Sequence, residues 1–129
     1  MLKVKTAFSG ISVDNLDEAK RFYIDILGLD LKDDKMGLKL QLPSGGDLFI
    51  YAKDGHQPAT YTVLNFVVDN IDEAVDELVK QGISFESYDD MPTKQDDKKI
   101  FRGLANNQGP DIAWFKDPAG NILSIIQDK

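Results

Sequence analysis

The stretch Val13-Asp-Asn-Leu-Asp-Glu-Ala19 returns 55 residues later as Val68-Asp-Asn-Ile-Asp-Glu-Ala74. A second echo joins Gly46-Asp-Leu-Phe-Ile50 to Gly120-Asn-Ile-Leu-Ser124, 74 residues apart. A repeat on this scale means one supersecondary unit present twice, and it decides the fold before any single element is read. The two offsets differ by 19 residues, so the second copy carries that much additional chain between the Val68 motif and Gly120. Repeat one is placed at about 1–54 and repeat two at about 60–129, within a single domain of 129 residues.

Each motif reads as a strand running into a helix. Asn15 and Glu18, like Asn70 and Glu73, form an Asn-x-x-Glu pair. Asn at the cap accepts a backbone N–H of the first turn, and Glu three residues on reaches back to the cap. Asp17, Glu18, Asp72 and Glu73 put negative charge at the positive end of the helix dipole, so they read as caps rather than as catalytic carboxylates. Behind them the apolar period is helical: Leu16, Ala19, Tyr23, Ile26 and Leu27 in one copy, Ile71, Ala74, Val75, Leu78 and Val79 in the other. Gly28 and Gly82 end the helices.

Strands are expected at 5–13, 29–32, 36–42 and 47–53 in the first copy, and at 61–68, 83–88, 112–116 and 121–127 in the second. Ser44-Gly-Gly46 reads as a hairpin turn and Asp117-Pro-Ala-Gly120 as a type I turn. Each copy is then βαβββ. The additional chain falls in 89–109, a polar segment without a period. It reads as a mobile lid bordering a cavity, with Lys94, Lys98, Lys99 and Arg102 open to trypsin.

Hydrophobic residues at 42% and charged residues at 29% describe a globular chain with a real core. A net charge of −7 speaks against nucleic acid and anionic lipid as partners. Cysteine is absent, which excludes disulfides and thiolate chemistry and agrees with a cytoplasmic location. No signal peptide or membrane span is visible.

The doubled βαβββ unit resembles the vicinal oxygen chelate superfamily of glyoxalases, bleomycin and fosfomycin resistance proteins and extradiol dioxygenases. The residues that carry the likeness are Val13 to Gly28, with Phe-Tyr-x-x-x-Leu-Gly at the helix end, and Ile112 to Ser124, with Asp-Pro-x-Gly-Asn at the last turn. The resemblance implies an α+β fold: two βαβββ repeats in an incompletely closed, barrel-like mixed sheet with helices outside. It also implies a homodimer, sometimes with sites shared between chains. Metal-dependent members carry His on the first strand of each copy and Glu on the last. The matching positions here are Phe8 and Val63, then Ile50 and Ser124. None suits a divalent cation, so no metal and no cofactor is expected.

Strand alternation then assigns an inner face. Phe8, Gly10 and Ser12 line it on the first strand, Ile50 on the fourth, Val63, Asn65 and Val67 on the fifth, and Ile122, Ser124 and Ile126 on the eighth. The set Ile11, Val13, Leu64, Phe66, Val68, Leu123 and Ile125 packs under the helices. Phe8, Ile50 and Val63 either fill the barrel or line a cavity for a small organic molecule. Trp114 is a core residue or a stacking platform, its face open. Arg102 is a surface residue or reaches an anionic ligand over the cavity. The one histidine, His56, reads as a solvated loop residue. The expected function is metal-free binding of a small molecule. The alternative is a glyoxalase-like lyase or isomerase, or a dioxygenase, with atypical ligands.

Overall fold

The computed structural model describes every residue except Ser44, so that part of the expected hairpin turn lies outside the described residues. The chain forms two compact units, Met1–Pro58 and Ala59–Lys129, each holding one copy of the motif.

The first unit runs β1 (Ser9–Val13), α1 (Leu16–Arg21), β2 (Leu31–Asp34), β3 (Gly37–Leu42) and β4 (Gly46–Ala52). Its four strands make one open sheet in the order β1-β4-β3-β2, with β1 parallel to β4 and the other pairs antiparallel. The second unit runs β5 (Thr62–Val67), α2 (Ile71–Lys80), β6 (Phe101–Arg102), β7 (Asp111–Lys116) and β8 (Ile122–Gln127). Its sheet, β5-β8-β7-β6, repeats the same order and the same mixture of directions. The fold is therefore α+β, two βαβββ modules with sheets that do not close.

The asparagine half of each expected cap is present. Asn15 Oδ1 accepts from Glu18 N at 3.0 Å, and Asn70 Oδ1 accepts from Glu73 N at 3.1 Å. Gly28 and Gly82 adopt φ of 68° and 95°, the left-handed turn that a side chain would resist. Helix α1 does not end at Arg21. It widens into a π turn over Phe22–Ile26, with Leu27 N donating to Phe22 O and Leu29 N to Tyr23 O. The widening carries Phe22 and Tyr23 into the core, where their rings meet edge to face at 5.1 Å.

Each sheet turns one face to its helix. Ile11, Val13, Leu38, Leu40, Leu48 and Ile50 are buried with Ala19, Phe22 and Tyr23 in the first unit. Ala113, Phe115, Leu123 and Ile125 are buried with Ile71, Val75 and Leu78 in the second. Each valine, leucine, isoleucine and phenylalanine among them contributes about 1.5–3 kcal/mol by leaving water.

Two elements differ from expectation. Residues 83–88 form no strand; Glu86 N donates to Trp114 O, and Phe85 and Tyr88 set their rings against Phe115 and Trp114. The edge of the sheet is taken instead by β6, from inside the additional segment. That segment also packs and hydrogen-bonds within its own unit. Ile100 is fully buried, and Gln95 ties three backbones together: its side chain accepts from Tyr88 N and donates to Glu86 O and Lys99 O. Gln95, Asp96 and Asn106 bond backbone groups of the segment's own turns, a pattern without strand or helix period.

Candidate functional site

With one face of each sheet under its helix, function falls to the other. In the first unit β1 and β4 are in register as Gly10 with Phe49, Ile11 with Ile50 and Ser12 with Tyr51. Residues in register on neighbouring strands point the same way. Phe8, Gly10, Ser12, Phe49 and Tyr51 thus share the open face. Ile50 does not. It is 0% exposed and packs with Ile11 on the helix side.

That placement corrects the sequence reading of Ile50 as a lining residue. The repeat aligned Gly46 with Gly120, but β4 starts at Gly46 whereas β8 starts two residues beyond Gly120. Asn121 is still held in the turn, where Asp117 Oδ1 accepts from Ala119 N and Asn121 N and Asp117 Oδ2 accepts from Asn121 Nδ2. The structural counterpart of Ser124 is Phe49, and that of Ile50 is Ile125.

The open face of the first unit is aromatic. Phe8, 69% exposed, meets Phe49 edge to face with ring centres 6.4 Å apart. Phe49 stacks on Tyr51 at 5.9 Å and 18°. The Tyr51 ring reaches to 3.7 Å from where a Gly10 Cβ would stand, so the ring lies over the glycine. Ala7, Phe8, Met36, Lys39, Asp47 and Phe49 line a recess of about 470 Å3. Lys39 and Asp47 form a loose pair across 4.0 Å at its side. Farther along β1, the Ser12 hydroxyl is hydrogen-bonded to His56 Nδ1 at 2.7 Å, with the direction set by the tautomer. His56 is thus anchored to the sheet rather than simply solvated. The backbone turn from Lys53 to His56, closed by His56 N to Lys53 O, brings it back.

The second unit shows a different open face. Asn65 and Ser124 are in register, and the Ser124 hydroxyl donates to Asn65 Oδ1 at 2.5 Å. Trp114 stands opposite Ser124 on β7, half-buried, so its face is the open one. Its Nε1–H donates to Thr62 Oγ1 at 3.1 Å, and Tyr88 meets its ring edge to face at 5.3 Å. Val63 is the extra residue of a bulge between Thr62 and Leu64 and is half-buried.

Arg102 belongs to neither open face. It is in register with Asp111, on the helix side of its sheet. Its guanidinium grips Asp72 of α2 with two bonds, Nη1 to Oδ2 at 3.0 Å and Nη2 to Oδ1 at 2.7 Å, and its Nε–H reaches Asp96 Oδ2 at 2.8 Å. Lys98 joins the cluster through Asp72 and Asp76. The hydrogen bonds from Arg102 and then from Lys98 hold the Asp72 carboxyl well below the usual carboxylate range. Arg102 pins the additional segment to α2, and a reach over a cavity to an anionic ligand is not its geometry.

Residues 5–125 match the Glyoxalase/Bleomycin resistance protein/Dioxygenase superfamily. The chain belongs to this superfamily. A putative glyoxalase family protein from Bacillus anthracis is similar over 100% of both chains, at 20% identity and a TM-score of 0.69. The antibiotic binding protein TnmS3 from Streptomyces sp. CB03234 is 21% identical over 99% of this chain and 100% of its own, with a TM-score of 0.61. The genomically encoded fosfomycin resistance protein FosX from Listeria monocytogenes is 14% identical over 99% and 96%, with a TM-score of 0.68. At such identities the likeness speaks for the fold alone. No curated protein is significantly similar in sequence.

Membership of this superfamily makes a metal centre the first thing to test. The positions that carry His and Glu in metal-dependent members are here Phe8, Val63, Ser124 and, with the corrected register, Phe49. Two benzyl groups, an isopropyl and a hydroxyl do not fit a divalent cation. Among the described residues no three His, Cys, Asp or Glu side chains converge to hold one. The arrangement can instead stack a planar apolar body on one of these rings with the other ring edge-on beside it, the Tyr51 hydroxyl and the Ser12–His56 pair lying farther along the same face.

Proposed function

We propose that this protein is a metal-free binding protein for a small, planar organic molecule, seated on the aromatic face of the first unit. The observation that carries this reading is the run Phe8–Phe49–Tyr51. Two of these rings, Phe8 and Phe49, lie at the positions matched above to ligating groups, Tyr51 extends the run, and Phe8 is left largely uncovered. Phe8, Met36 and Phe49 together make a contiguous apolar patch around the recess, the kind of surface that suits a small organic ligand. The kinship of fold with an antibiotic binding protein agrees with sequestration as the role.

Phe8, Ser12, Phe49 and Tyr51 carry the contact in this proposal, with His56 fixing the Ser12 hydroxyl. In the second unit Asn65 is the exposed polar group, the fully buried Ser124 donates its hydroxyl hydrogen to it, Trp114 lies beside them with its N–H taken by Thr62, and Val63 is half-buried in the bulge. The protein works as one domain and as a homodimer in the cytoplasm. Open sheets leave the edges of β1, β2, β5 and β6 without a neighbour in their own sheet, and a second chain can cover such edges. Among the described residues no helix is long and apolar enough to cross a membrane.

Two measurements test the reading. Elemental analysis of the dialysed protein is expected to find no stoichiometric zinc, nickel, iron or manganese; a full equivalent of any of these overturns the metal-free assignment. A thermal-shift screen of planar aromatic compounds is expected to find stabilisers whose effect is lost in Phe49→Ala. Stabilisers that act equally on that variant place the site elsewhere.

A further inference from the structure

The additional segment of the second unit encloses a recess of about 310 Å3, lined by residues of that unit alone, among them Tyr88, Asp89, Met91, Lys94, Gln95 and Lys99. Three features set it apart from an ordinary surface dimple. The Tyr88 hydroxyl is buried and has no hydrogen-bond partner, the one such side-chain atom among the described residues. A buried hydroxyl without a partner is costly, and a fold that keeps one has a reason to be sought. Lys99 holds φ at 68°, a left-handed backbone that a lysine resists. Gln95 cross-braces the walls, accepting from Tyr88 N at 2.7 Å and donating to Glu86 O at 3.0 Å and Lys99 O at 2.6 Å. The two strained or unsatisfied residues are therefore held rigidly together by a third.

The chemistry of the lining selects a ligand class. Lys94 and Lys99 are exposed ammonium groups with no ion pair among the described residues. Asp89 opposes them. Asp96 counts for little, since Arg102 Nε–H and the amides of Lys98 and Ile100 saturate its oxygens. Within the lining itself the two ammonium groups outnumber Asp89 by one, with Asp90 and Glu86 outside it but near the Tyr88 hydroxyl, and the apolar surfaces of Met91 and the Tyr88 ring lie beside them.

We propose that this recess binds a small organic carboxylate, its anionic end on Lys94 and Lys99 and its acceptor oxygen on the Tyr88 hydroxyl. Burial, with Glu86 and Asp90 adding to it and Lys116 opposing, pushes the Tyr88 phenol above its ordinary range, so the group carries its proton at neutral pH. The site is separate from the aromatic face of the first unit and stands or falls without it.

The test is titration of the full chain with benzoate, succinate and inorganic phosphate, followed by amide and side-chain NMR. Benzoate or succinate is expected to saturate, with shifts centred on Tyr88, Lys94 and Lys99. Tyr88→Phe is expected to raise the melting temperature of the free protein while weakening that binding about tenfold, the worth of one hydrogen bond. Lys99→Gly relieves the backbone and removes a charge, and is expected to do the same. Lys80→Ala, a charge removed from the last turn of α2, is expected to bind as the parent does. Absence of saturation by either carboxylate, or saturation by phosphate alone, overturns the proposal. So does a Tyr88→Phe protein that binds as the parent does, or one that loses stability, because the hydroxyl then has another partner.

Discussion

Ile50 and Phe49 are neighbours on one strand, and the whole assignment of the site turns on which of them faces the helix. The register of β1 with β4 puts Ile50 in the core and Phe49 on the open face. Replacing Ile50 by Ala is expected to cost about 2–5 kcal/mol, as large-to-small changes in a packed core do, with ligand affinity of the folded protein nearly intact. Replacing Phe49 by Ala is expected to cost far less stability and to remove binding. Denaturant unfolding of both variants checks the assignment; equal losses for the two mean that the faces are not divided as described. Arg102 makes a second test at this scale. Asp72 and Arg102 are 44% and 31% exposed, so solvent screening keeps their pairing to about 1 kcal/mol. Arg102→Met is expected to lose that amount at pH 7. Because the Asp72 carboxyl is held below its ordinary value of 3.8, the contribution is present above that pH and fades as the pH falls below it. The parent's advantage over the variant is therefore expected to shrink at pH 3. An advantage that grows on acidification contradicts the sign. Neither residue was legible from sequence. Alternation permits two registers for a strand, and the partner of Arg102 lies 30 residues away.

The elements that local chemistry dictates were legible, and those that tertiary competition dictates were not. Asn15 and Asn70 cap their helices through contacts only three residues long, so the repeated motif exposed them at once. Asn15→Ala and Asn70→Ala are each expected to cost about 1 kcal/mol, and about twice that together, since the two caps share no partner. Chemical denaturation of the single and double variants measures this, and a double variant no worse than one single denies the repeat its energetic symmetry. Residues 83–88 have the apolar content of a strand, yet Phe85 and Tyr88 are drawn to the rings of Phe115 and Trp114. The two residues of β6 take the edge instead. The π turn at Phe22–Ile26 was equally hidden, because an apolar face at helical spacing fits either ladder until the burial of Phe22 and Tyr23 is known. The one-residue error in matching the fourth and eighth strands has a similar origin. The Asp117–Asn121 hydrogen bonds lengthen one turn without changing the residues that announce it.

At the scale of the molecule, the repeat was enough to state two βαβββ modules, and the superfamily match over 5–125 agrees. What the repeat could not supply was the content of the open faces, because the fold does not dictate the side chains there. The proposed homodimer belongs to this scale too. Sedimentation equilibrium is expected to give twice the chain mass, and a monomer mass throughout the micromolar range contradicts it. The central claim is that a planar organic molecule binds the Phe8–Phe49–Tyr51 face without a metal. Its most direct measurement is a calorimetric titration of the best aromatic stabiliser into parent protein and Phe49→Ala, both in excess EDTA. The expected result is saturable binding to the parent, unchanged by the chelator, and affinity lower by at least about tenfold in the variant. Binding that vanishes in EDTA and returns with added divalent metal, or that survives Phe49→Ala undiminished, contradicts it.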